Sequence, residues 1–254
     1  PLLVASPFSP PYLTRCFDFG ADIIVTSLTK WVGGHGTGVG GMCIEKGGFN
    51  WATGRHPLFD KPDTSYGGLR WGHDLPETLA PLAYKLRMLT VGLRNIGAAQ
   101  SPDNAWMFLQ GIETLSLRMD RHCENSLKVA EHLKSHPKVA WVRYPGLKDD
   151  PEYAKNVKYI KGKGGGMVIF GIKSTDARKA GSTFIDSLKL ISHVANVGDA
   201  RTLAIHPATT THSQMSPEQQ LAAGAPPDMV RLSIGLETAE DILADIDQAL
   251  EAAN

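Results

Sequence analysis

The segment Ser27-Leu28-Thr29-Lys30-Trp31-Val32-Gly33-Gly34-His35-Gly36 places one amine, two hydroxyls and three glycines within ten residues. A lysine amine held away from water, or close to another cation, gives up its proton more readily and can then attack a carbonyl carbon. Hydroxyls such as those of Ser27 and Thr29 can donate to phosphate oxygens, and glycines let the backbone come close to a bulky ligand. A second candidate is Arg231, in Val230-Arg231-Leu232-Ser233-Ile234-Gly235-Leu236-Glu237. Its planar guanidinium can meet a carboxylate through two parallel hydrogen bonds. Each residue also has an ordinary reading, Lys30 as a solvated charge after a strand and Arg231 as one half of a strand-edge ion pair. Their joint presence, with a glycine-rich turn after the lysine, favours a site.

Other polar features read as structural. His206 and His212 lie six apart, off the common metal-ligand spacings, so no metal site is expected. The glycines from Gly33 to Gly41 are not followed by Gly-Lys-[Ser/Thr], as a phosphate loop requires. Lys155 to Lys163 reads as a solvated face, and Lys161 to Gly166 as a flexible turn before a strand.

The 254 residues contain 26 basic and 26 acidic side chains, so a nucleic-acid-binding face and attraction to an anionic membrane are not expected. The apolar runs, such as Met167 to Ile172, are strand-sized and too short to span a bilayer. No basic-then-apolar leader opens the sequence, and the three cysteines, Cys16, Cys43 and Cys123, form no CxxC pair. Reduced thiols in a cytoplasmic protein are expected. Pro1-Leu2-Leu3-Val4 reads as a strand already under way, so the chain is expected to lack its natural beginning.

The elements that must position these residues follow from periodicity and punctuation. Ala21 to Thr26 reads as a buried parallel strand that delivers Lys30 at its carboxyl end, where ligands of open α/β sheets sit. Val39 to Ile44 reads as the next strand and Lys46 to Asp74 as a long functional loop. Helices are expected over Leu75 to Ile96, from Ser101-Pro102 onward, and over Asp120 to His136. Beyond them come strands at Val139–Tyr144, Gly166–Ile172, Ile191–Ala195 and Val230–Ile234. Helices are expected at Thr175–Leu188, from Ser216-Pro217 with Gln219 completing a capping box, and at Thr238–Ala252. The second half therefore reads as an α+β domain with a small, mainly antiparallel sheet.

At Ser27-x-Thr29-Lys30, after Gly20-Ala21-Asp22-Ile23-Ile24-Val25, the sequence resembles the Cys/Met-metabolism family of pyridoxal-5′-phosphate (PLP) enzymes. The resemblance extends to Ile205-His206-Pro207-Ala208 and to Arg231-Leu232-Ser233-x-Gly235-x-Glu237. It implies an α/β chain of fold type I, in which residues 1–125 are the remainder of the PLP-binding large domain and residues 126–254 a smaller α+β C-terminal domain. It implies PLP held covalently by Lys30, with its phosphate bound by Ser27 and Thr29. Arg231 is implied as the group that binds the substrate α-carboxylate. Asn196, in Ala195-Asn196-Val197-Gly198-Asp199-Ala200, is implied as a second contact to that carboxylate. This segment is most similar to the branch that replaces the acetoxy group of O-acetylhomoserine with sulfide, releasing acetate. Sister activities on the same scaffold, cystathionine γ-synthase or γ-lyase, are the alternative, and so is a non-catalytic fragment that works only with a partner chain. The family also implies a homotetramer and a further N-terminal half, which a separate chain could supply. One departure stands out: the family's aspartate that pairs with the pyridine nitrogen falls at Ala5.

Overall fold

Gly20 takes the left-handed conformation, φ 91°, and closes a short 3₁₀ turn over Cys16–Phe19, so that the next residues can run straight into a strand. That strand is β2 (Ile23–Ser27), and β1 (Leu3–Ala5) and β3 (Gly41–Glu45) flank it in the order β1-β2-β3. The pairing of β1 with β2 is parallel, as expected, and that of β2 with β3 antiparallel. The computed structural model describes residues 1–253 and divides into two compact units. The first comprises Pro1–Pro7, Arg15–Ser27 and Gly40–Trp106 and contains this sheet.

Its core is aromatic: Trp51 stacks on Phe59 with ring centroids 4.1 Å apart, and Ile23, Trp71 and Ala83 close around them. The expected long loop carries only the short helix α1 (Pro57–Asp60) and one 3₁₀ turn. The single helix expected over Leu75 to Ile96 is broken. Pro76 and Pro81 lack the amide hydrogens that a regular helix needs there. The segment therefore begins as turns and a 3₁₀ stretch at Ala80–Leu82, continues through α2 (Ala83–Arg87) and a widened π-type stretch, and ends in α3 (Arg94–Ile96) at Gly97. Helix α4 (Pro102–Glu113) follows.

The second unit comprises Phe8–Thr14, Leu28–Val39 and the chain from Met107 onward. Its long helix α5 (Leu115–Ser135) leads to β4 (Val139–Arg143), α6 (Tyr153–Ile160), β5 (Met167–Ile172) and α7 (Ala177–Ser187). Then come β6 (Ser192–His193), β7 (Leu203–Ile205), α8 (Pro217–Ala222), β8 (Met229–Ser233) and α9 (Ala239–Ala252). The five strands form one sheet in the order β4-β5-β8-β7-β6, antiparallel except for β6 beside β7. The capping box of Ser216 and Gln219 is present on α8. Helix α6 and strand β7 were not expected. The first is a two-turn helix and the second has three residues, too short to give a periodic signal.

One face of this sheet is covered by the apolar stripes of α5, α7 and α9. Val129, Leu133, Phe184, Ile242, Ile246 and Leu250 meet Phe170, Val230 and Leu232 in a common core. The loop Lys161–Gly166 is packed and not a loose turn: the Tyr144 hydroxyl donates to Lys163 O and Gly165 O at 3.2 and 2.9 Å, and Gly164, Gly165 and Gly166 are buried. Asp245 of α9 accepts three backbone N–H groups, from Lys189, Leu190 and Ile191, at 2.8–2.9 Å, which ties α9 to the start of β6. No helix among the described residues is long and apolar enough to cross a membrane.

This core fixes where β8 runs, and Phe170 faces Val230 across the β5–β8 pair. Phe170 is fully buried and packs edge-on against Phe184 at 5.6 Å. Phe170→Ala should lower the unfolding free energy by about 3–5 kcal/mol. Denaturant titration would measure it, and a change under about 1 kcal/mol would mean the site collapses around the cavity.

Candidate functional site

Immediately after β2 the chain makes a tight turn over Leu28–Val32, in which Lys30 takes φ −86°, ψ −130°, outside the helical basin. Gly33 N–H donates to Leu28 O and Gly34 N–H to Lys30 O, both at 2.8 Å. A side chain at Gly33 would strike Leu28 O at 2.8 Å and the Phe108 ring at 2.9 Å, so the turn tolerates only glycine there. Trp31 is buried beneath it, edge-on to His122 at 4.9 Å, and its ring leaves room only for Gly166. The Lys30 side chain, by contrast, is only partly buried.

The Lys30 amine donates to Asn196 Oδ1 at 2.5 Å, joining residues 166 positions apart. The segment carrying Asn196 is pinned on both sides. Gly198 N–H donates to Ser233 Oγ at 2.9 Å, Ala200 N–H donates to Gly34 O at 2.8 Å, and Leu236 N–H donates to Ala200 O at 2.7 Å. Gly198, at φ 77°, lets this segment approach so closely that a Cβ would lie 2.6 Å from Trp31 N. Arg231 sits on β8, level with Ile169 of β5 and Ile205 of β7. The second unit thus brings together Lys30, Asn196 and Arg231.

Burial, and after it the positive charge of Arg231, holds the Lys30 amine below the usual lysine pKa. Burial alone lowers Arg231, and no carboxylate or hydrogen-bond acceptor among the described residues offsets it. A half-buried guanidinium in that condition favours an anionic ligand. Thr29 adjoins Lys30 in the turn and is half-buried, and Ser27 is the last residue of β2 in the first unit. Ala5 ends β1 in the first unit, level with Val25, and is exposed. His206 is fully buried and bonded to Thr209 Oγ1 and Pro227 O, a structural histidine, as expected from its spacing. No cluster of possible metal ligands occurs among the described residues.

The family model for Cys/Met metabolism PLP-dependent enzymes matches residues 1–251. The chain belongs to this family. Among Cys/Met-metabolism PLP-dependent relatives, it is 49% identical over 256 residues to an O-acetyl-L-homoserine sulfhydrylase from Leptospira meyeri, covering 99% of this chain and 58% of the relative. It is 51% identical over 239 residues to O-acetyl-L-homoserine sulfhydrylase 1 from Thermus thermophilus, covering 94% and 55%. A crystal structure of an O-acetylhomoserine (thiol)-lyase from Campylobacter jejuni, containing N′-pyridoxyl-lysine-5′-monophosphate, superposes with a TM-score of 0.90 at 39% identity, over 98% of this chain and 58% of that one. The chain therefore spans less than three fifths of the length of these relatives. Fold type I α/β architecture follows from this likeness.

The residues present fit the family's cofactor at its lysine. Lys30 has a lowered pKa, as a covalent link to an aldehyde favours, and its amine is held in place by Asn196 Oδ1. At position 5 they do not fit, since an alanine offers no charge to a pyridine nitrogen.

If the charge of Arg231 adds to burial in lowering the Lys30 pKa, Arg231→Met should raise it. Competitive acetylation of Lys30 across the pH range should then move its midpoint upward, so that at any pH below the midpoint less neutral amine reacts. An unchanged midpoint would leave burial as the sole cause.

Proposed function

We propose that the enzyme containing this chain carries out γ-replacement on O-acetyl-L-homoserine with sulfide, giving L-homocysteine and acetate. The observation that carries this reading is the convergence of Lys30, its pKa lowered and its amine hydrogen-bonded to Asn196, with an Arg231 guanidinium that has no anionic partner among the described residues. An amine of that kind suits PLP, and a guanidinium of that kind suits the α-carboxylate of an amino acid. The choice of O-acetylhomoserine rests on the names of the similar sulfhydrylases.

In this reading Lys30 would hold PLP covalently, and Ser27 and Thr29 would donate to its phosphate. Bound PLP supplies a conjugated ring that accepts electrons from the substrate α-carbon. Arg231 and Asn196 grip the substrate carboxylate and so set which bond at Cα is aligned for cleavage. The Lys30 amine would take the proton from Cα and move protons at Cβ, so that acetate could leave Cγ and sulfide take its place. We further propose a cytoplasmic homotetramer whose remaining cofactor contacts come from residues outside this chain.

Two experiments test this. Borohydride reduction of the PLP-loaded protein should fix the cofactor to the peptide containing Lys30, and product analysis should give homocysteine with sulfide. Label on another lysine, or product only when cysteine replaces sulfide, would overturn the site or the substrate respectively.

Ala5 supplies a separate expectation. An anionic neighbour matters most where charge develops during reaction. Ala5→Asp should therefore raise single-turnover rate more than it raises PLP affinity. A variant no faster than the parent would show either that another group meets the ring nitrogen or that position 5 is not the family's aspartate position.

A further inference from the structure

Arg118 is a cation that is only 5% exposed, and no carboxylate among the described residues forms an ion pair with it. Removing a guanidinium from water is expensive unless its donors are satisfied. Its donors go instead to oxygens of two separate segments. Nη1 donates to Trp31 O at 2.8 Å, and Nη2 donates to Val32 O at 3.1 Å and to Gly111 O at 2.5 Å. Nε donates to Thr114 Oγ1 at 3.1 Å. Trp31 and Val32 directly follow Lys30, whereas Gly111 lies in the last turn of α4 and Thr114 between α4 and α5.

The fit around this side chain is close. A Cβ at Gly34, where φ is 71°, would lie 2.1 Å from Arg118 Nη1. A Cβ at Gly111 would lie 2.4 Å from Val32 O and 2.7 Å from Gly33 O. A single helical face of α5 supports the turn. Leu115, Met119 and Cys123 pack with Trp31, and His122 meets the Trp31 ring edge-on. Arg118 lies on that face, three residues after Leu115 and four before His122. The turn presents two successive carbonyls on one side, and a planar fork with several donors and no acceptor suits them better than any other side chain.

We propose that Arg118 is a positioning residue that clamps the Lys30 turn through the carbonyls of Trp31 and Val32, and so sets where the Lys30 amine stands. This rests on the reading of Lys30 as the reacting amine. The held turn keeps that amine partly desolvated, in line with its lowered pKa.

The test uses Arg118→Met, Arg118→Lys and Gly34→Ala. The first removes the fork, the second keeps charge without the fork, and the third leaves Arg118 in place but drives a methyl into its guanidinium. In the unloaded protein, hydrogen exchange at the Gly33 and Gly34 amides should quicken by about tenfold to a hundredfold in Arg118→Met and Gly34→Ala. Exchange at Val230 and Leu232 in β8 should stay as in the parent. Under conditions where unchanged β8 exchange shows the folded fraction to be that of the parent, the pH midpoint of Lys30 acetylation should rise in both variants, and Arg118→Lys should fall between them and the parent. Unchanged exchange at Gly33 and Gly34 with an unchanged Lys30 midpoint would overturn the clamp. Equal acceleration in β8 would also overturn it, by making Arg118 a general stabiliser. If Arg118→Met does not fold, the other two variants decide by the same two readouts. Borohydride labelling away from Lys30 in the parent would remove the functional reading alone, since the exchange result does not depend on the cofactor.

Discussion

The hydrogen bond from the Lys30 amine to Asn196 Oδ1 is the interaction on which the candidate site turns. A lysine beside an arginine has two ways to reduce repulsion: recruit a carboxylate, which would fix its positive charge, or lose the proton. Here the acceptor is a neutral amide, so Lys30 is held in place while its pKa stays below the usual range. A carboxylate at position 196 would hold the amine equally well and make it a poor nucleophile.

Several parts of the second unit can be understood as meeting that one condition. The β5-β8-β7 portion of the sheet places Arg231 at a fixed level, and Ser233 at the end of the same strand holds Gly198. Gly198 and Gly34 let the Asn196 segment and the lysine turn come within backbone contact. The large apolar core behind β8 supplies the rigidity: Val230 and Leu232 are fully buried beside helices α5, α7 and α9, while Arg231 between them faces the other way and keeps some exposure.

Much of this was legible in the sequence, because the informative residues are chemically uncommon in combination. A lysine flanked by hydroxyls and glycines, and an arginine in a short apolar strand, announce themselves. The strand alternation and the capping box of α8 are local and read well, whereas Thr238 precedes α9 without a side-chain cap bond. What stayed hidden depends on distant contacts. Nothing near Asn196 in the sequence says that its oxygen meets an amine 166 positions away. Arg118 falls just before the helix expected from Asp120, and only its burial and its carbonyl partners reveal its place. The break in the helix between Leu75 and Ile96 is hard to foresee because apolar spacing there outweighs two prolines. The three residues of β7 are a strand only because β8 and β6 lie on either side.

The state of Lys30 can be observed directly in the unloaded protein. A ¹⁵N NMR titration of lysine-labelled protein, with Lys30→Arg to assign the signal, measures the pKa of its amine. A midpoint clearly below the usual lysine value of about 10.4 is expected. A midpoint at or above that value would mean that Lys30 is an ordinary solvated cation, and would contradict its place at the centre of the site.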